Sequence, residues 1–180
     1  MKQSFFIIAI FLLVAVGAGV LYTVLQEKED VVAVASFEEC VAAGYSVMES
    51  YPRQCKAPDG KTFSEYIGNE LEKSDLIRVT NPRPNQGISS PLVLAGQARG
   101  IWFFEASFPA RLFDGNGNEI AVAIAQAQGE WMTENFVPFL TTLEFQMPAT
   151  ETGTLVFEKD NPSGWPEHDD RLVMPIRFAR

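Results

Sequence analysis

Basic residues are scarce in this chain: 14 Lys and Arg stand against 23 Asp and Glu, for a net charge of −9, and no run of Lys or Arg occurs. A protein that grips a nucleic-acid backbone needs a basic footprint, so nucleic acid is excluded as a partner. There is one histidine, His168, and there are two cysteines, Cys40 and Cys55. Two thiols without a nearby histidine cannot close a tetrahedral zinc site. The reactive redox spacing of two intervening residues is absent as well. The Gly-x-Ser-x-Gly elbow, the His-Glu-x-x-His helix and the phosphate-cradling glycine loop are all missing. Paired acids such as Glu105 and Asp114 occur in any acidic chain and do not make a glycosidase dyad. These absences predict a protein that is not an enzyme and needs no cofactor.

What is present begins with a long apolar run. Residues 5 to 25 contain no charge, and 21 residues of helix would reach across roughly 30 Å, a bilayer's hydrocarbon. Lys2 precedes the run and Glu27-Lys-Glu-Asp30 follows it. This polarity puts the N-terminus in the cytoplasm and the rest of the chain outside. The expectation is a single-pass anchor within 1–30, with the membrane as its partner. The alternative is a signal peptide cleaved near Val16-Gly-Ala18, giving a secreted protein, although the run exceeds the usual length of such segments.

In an oxidising compartment two cysteines pair. A bridge between Cys40 and Cys55 closes a loop that stabilises by about 3 kcal/mol in the chain-entropy model. Phe37 to Gly44 reads as a short helix stopped by glycine. Tyr51 to Cys55 and Lys61 to Ile67 read as strands around the turn Ala57-Pro-Asp-Gly60. The region 31–68 is therefore expected to be a small disulfide module. Its likeness to a Kazal-type inhibitor hairpin stops at the missing cysteines. The polar segment 69–76 reads as a linker.

From residue 77 to 180 no helical period occurs. Short extended stretches alternate with turn chemistry: Ile77–Thr80, Leu92–Ala98, a stretch through Leu112, Glu119–Gln128, Trp131–Phe139, Leu140–Gln146, Gly153–Glu158 and Leu172–Phe178. In the third, Phe104, Ala106, Phe108, Ala110 and Leu112 fall in step on one face, the period of a half-buried strand. In the fourth, Ala121, Ala123, Ala125 and Ala127 share a face that admits a bulky neighbour. The expectation is an all-β domain, a β-sandwich of seven or eight strands.

Several pieces together resemble the immunoglobulin-like domain associated with bacterial spore-germination proteins. They are the Ser89-Ser-Pro-Leu92 approach after Pro82 and Pro84, Gly96-Gln-Ala98, Phe104-Glu105 and the Asp114-Gly-Asn-Gly117 turn. Gln128-Gly-Glu-Trp131 with Phe136, Gly153-Thr-Leu-Val-Phe-Glu158 and Val173-Met-Pro-Ile-Arg-Phe178 complete the pattern. The resemblance covers about 77 to 178. It implies an extracytoplasmic, non-catalytic immunoglobulin-like sandwich attached to a membrane anchor or other envelope modules. Together with the anchor, the expectation is a domain that contacts an envelope protein or a cell-wall ligand.

Two constellations remain as candidate sites. Asp114, Asn116 and Asn118 place oxygen side chains at alternate positions, as calcium loops do. Glu119 and Ala125 stand where such a loop needs glycine and a bidentate glutamate, and a hairpin turn needs the same Asp, Asn and Gly. Trp102 and Trp165 flank glycines in loop-like positions, so exposure and a carbohydrate-stacking role are expected of both. Trp131 is expected in the core.

Overall fold

The structure is a computed structural model that describes residues 32–179. The chain divides into two units, one ending at Glu65 and one beginning at Tyr66. The expected anchor at 5–25 lies outside the described residues. Among those residues no helix is long and apolar enough to cross a membrane.

In the first unit, helix α1 (Phe37–Ala42) starts where Ser36 Oγ accepts the Glu39 N–H, satisfying a donor the helix cannot. Gly44, at φ +78°, ends it. A three-stranded sheet follows, β1 (Ser46–Met48), β2 (Gln54–Lys56) and β3 (Thr62–Ser64), in that spatial order. Gly60 turns β2 into β3 with φ +89°. Cys40 and Cys55 are bonded, joining α1 to the central strand. The core they form is small: Phe37, Cys40, Cys55 and Ala57. Arg53 adds a bidentate pair with the buried Glu65, at 2.7 and 2.9 Å.

The second unit opens with a helical turn, α2 (Glu70–Lys73), then β4 (Ile77–Asn81), β5 (Gly87–Ile88), β6 (Leu92–Arg99), β7 (Ser107–Asp114), β8 (Glu119–Ala127), β9 (Phe136–Leu143), β10 (Thr152–Glu158) and β11 (Arg171–Phe178). These eight strands form one sheet in the order β4-β6-β9-β8-β7-β10-β11-β5. The sheet curls on itself. β8 and β9 are paired only at Gln126↔Leu140 and Ala127↔Phe139, so the rows on either side of this seam diverge and face each other across the core. Phe139 on β9 meets Phe108 on β7 at 5.0 Å between ring centroids and Phe157 on β10 at 5.8 Å. Ala123 and Ala125 are buried beside these rings, as the small-residue face of β8 predicts.

The strand through Leu112 departs from its expected start. Glu105 and Ala106 adopt positive φ, 47° and 64°, and Phe104 and Ser107 exchange two backbone hydrogen bonds of 3.0 Å. This is the two-residue hairpin geometry that usually selects Asn-Gly, here built from Glu-Ala. Phe108, Ala110 and Leu112 are fully buried as expected, whereas the turn rotates Phe104 out to the surface. The stretches expected separately at Trp131–Phe139 and Leu140–Gln146 are joined in one continuous β9, with Pro138 inside it. Gln128 N–H donates to Pro138 O, so even-numbered β9 residues address β8. The N–H that proline lacks would point there, and the β6 ladder loses nothing.

β11 carries its outer edge under the chain's own groups. Asn69 forks onto it, donating Nδ2–H to Arg171 O and accepting the Val173 N–H on Oδ1, while its own N–H donates to Val173 O. Asn85 and Gln86 cover Pro175 and Arg177 in the same way. Gly68 makes the approach feasible: at φ +72° a Cβ there would lie 1.8 Å from Val173 O.

Candidate functional site

Trp102 corrects its expectation. It ends a 3₁₀ turn, Gly100–Trp102, which breaks the strand period and directs both Trp102 and Phe103 inward. Gly100 permits this, since a Cβ there would strike Thr133 O at 2.0 Å. Trp102 is 1% exposed and belongs to the core; its Nε1 has no hydrogen-bond partner among the described residues. An indole so enclosed offers no face to a sugar. Trp165, by contrast, is 62% exposed. Trp131 is half-buried against the core.

Trp165 sits on the long β10–β11 connection, which is held by polar bonds. Asn161 Nδ2 donates to Trp165 O at 2.9 Å and to Asp169 Oδ1 at 2.7 Å. Ser163 Oγ lies 2.5 Å from Asn161 Oδ1 and 3.1 Å from His168 Nδ1. The amide oxygen accepts only, so the single hydroxyl proton goes to Asn161. His168 must then donate to Ser163 rather than take its proton, which removes the pair as a nucleophile and base.

Asp114 closes the β7–β8 turn with its carboxylate. Oδ1 accepts the N–H groups of Asn116 and Asn118, both at 2.9 Å, and Oδ2 accepts from Asn118 Nδ2 at 3.1 Å. Gly117 supplies φ +83°. The side-chain and backbone donors of Asn118, then those of Asn116, hold the Asp114 carboxyl below its ordinary pKa. The oxygens a calcium ion would need are therefore committed to the turn. Millimolar calcium is expected to leave the melting temperature unchanged, and Asp114→Ala to lower it. A calcium-dependent rise in wild type would overturn this account. Because the folded pKa is the lower one, this stabilisation is present above the unfolded carboxyl pKa and fades as pH falls through the folded value.

One polar groove, of about 740 Å³, was not foreseen. Its lining comes from α2, Pro109 and the two ends of the β10–β11 connection, positions scattered over a hundred residues with no shared period. The charges in it answer one another. Lys73 pairs with Asp170, Glu158 receives Arg111 at 2.7 Å, and Lys159 Nζ donates to His168 O at 2.9 Å. Among the described residues no group of three or more metal-ligating side chains comes together.

Residues 76–164 match the model of a family described as the immunoglobulin-like domain of bacterial spore germination. The comparisons with curated proteins and with solved structures returned no match. β11 lies beyond the matched residues, yet it is hydrogen-bonded to β10 along seven residue pairs, from Thr152↔Arg177 to Glu158↔Arg171, and so completes the sheet.

Proposed function

We propose, residues 76–164 belonging to this immunoglobulin-like family, that the chain is a non-enzymatic binding protein held at the outer face of the membrane. The N-terminal run 5–25 anchors it, and the immunoglobulin-like unit contacts another envelope component. What carries the reading is that sandwich itself: its inner faces are filled by side chains, so only edges, outer faces and connections remain for a ligand. The disulfide supports the placement, since such bridges persist in oxidising compartments.

The test is protease added outside intact cells, with crosslinking on parallel samples. External protease should remove the immunoglobulin-like unit and leave a membrane-bound stub, and crosslinking should tie the unit to an envelope protein. Full protection until lysis would overturn the placement. Retention on cell-wall fragments that Trp165→Ala abolishes would select a carbohydrate ligand instead, now resting on that indole alone.

A further inference from the structure

Where the seam opens, the curled sheet leaves the β8 edge without a partner among the described residues. On β4, the outward carbonyl of Val79 accepts Arg83 Nη1–H at 2.6 Å. β11 is covered by Asn69, Asn85 and Gln86, as above. β8 differs. Its Ala127 N–H donates to Ala106 O toward β7, and its Gln128 N–H donates to Pro138 O toward β9. Alternate residues of a strand address opposite neighbours, so Val122 and Ile124 direct their N–H and C=O away from β7. The β8–β9 pairing has ended before it reaches them, and among the described residues these groups meet no partner on that side.

Nothing in the sequence blunts this edge. From Ile120 to Ala127 there is no charge, proline or glycine, the devices by which proteins protect open strands. Val122 and Ile124 are 44% and 49% exposed on the outer face. The opposite face carries only alanine there, with Ala123 and Ala125 buried in the core, so an incoming segment meets apolar side chains on the outer face. At the Ile120 end lies a groove of about 690 Å³ whose lining includes Glu144, Phe145, Met147 and Pro148.

We propose that the β8 edge at Val122 and Ile124 receives a short extended segment of a partner protein by strand addition. The segment carries apolar side chains at alternate positions and a Lys or Arg toward the Ile120 end. Only an extended backbone offers donors and acceptors at the spacing of the open groups. A cationic end is selected by Glu144 and by the net charge of −9, with its aliphatic stem along Met147 and Phe145. This inference rests on the binding role of the immunoglobulin-like unit.

The probe is an acetylated Lys-Thr-Val-Thr-Val-Lys peptide added to the full chain in detergent. Hydrogen exchange at the Val122 and Ile124 amides should slow on addition, and Ile124→Pro should weaken binding about tenfold. Ile124 lies opposite Pro109 on β7, so this proline removes a donor on the open side alone and the β7–β8 ladder stays whole. Val122→Lys, which charges the edge without touching the backbone, is expected to weaken binding likewise. Peptide binding unchanged in both variants, or exchange at those amides unmoved, overturns the proposal. Slowing that depends on protein concentration without peptide makes the occupant a second copy and also overturns it. If the envelope crosslinks persist in Ile124→Pro, strand addition falls while the broader binding role stands.

Discussion

Phe139→Ala is expected to unfold the immunoglobulin-like unit at temperatures where wild type is intact. The ring is 2% exposed and, among the described rings, is the only one paired with both Phe108 and Phe157. It therefore ties β9, on one side of the narrow β8–β9 seam, to β7 and β10 on the other. Truncating a buried phenylalanine costs about 3–5 kcal/mol in transfer and cavity terms, against a total stability of roughly 5–15 kcal/mol for a domain. At roughly 4 °C per kcal/mol, where the ranges for smaller and larger domains meet, the melting temperature should fall by about 10–20 °C. The cavity cannot collapse easily. Gly96 lies beneath the ring at a distance where even a Cβ would come within 2.7 Å of it, and β6 holds Gly96 through the Gly96↔Phe139 register. Circular dichroism melts decide the matter, with Phe145→Ala as comparison because that ring is only partly buried and, among the described rings, pairs with Phe178 alone. A fall for Phe139→Ala no larger than for Phe145→Ala would mean that the sheet's two rows are not joined through this ring.

The residues in that argument were legible one strand at a time. Phe108, Ala110 and Leu112 announce a buried face by their period, and the alanines of β8 announce a close neighbour. What the sequence did not disclose were the places where backbone geometry overrides period. The Glu105-Ala106 turn lacks the glycine that marks such turns, so Phe104 looked like core. The 3₁₀ turn at Gly100–Trp102 looked like a loop, so Trp102 looked exposed, although Gly100 next to it was the sign of a close backbone approach. The single β9 in place of two stretches was hidden as well, because a proline's cost depends on which neighbour its missing N–H would have faced, and that is a property of the sheet. The open β8 edge was invisible for the same reason. An uncharged strand reads alike whether both of its edges are paired or only one.

The small unit supplies the second large effect, and it bears on where the protein can exist. Replacing both cysteines, Cys40→Ser with Cys55→Ser, is expected to abolish the fold of the described residues up to Glu65. Two of the four buried hydrophobic residues there are the cysteines themselves. The described residues of this unit, 32–65, number fewer than the roughly 40 below which chains need a covalent or metal staple. Losing the bridge removes about 3 kcal/mol by loop entropy, and two hydroxyls would enter a site that has only Phe37 and Ala57 as its other buried members. The Arg53–Glu65 pair would not compensate, because Arg53 is largely solvated and a pair of that kind contributes about 1 kcal/mol or less. Hydrogen exchange reads the outcome: the amides of β2 and β3 should lose protection in the double variant, whereas β7 and β10 keep theirs. Retained protection in β2 would show that the helix and sheet hold without the bridge. In the expected case the consequence reaches beyond stability, because a reducing compartment would impose the same loss on wild type. Thiol trapping in intact cells should then find Cys40 and Cys55 fully oxidised, and a reduced pool would contradict the outer placement and the folded module together.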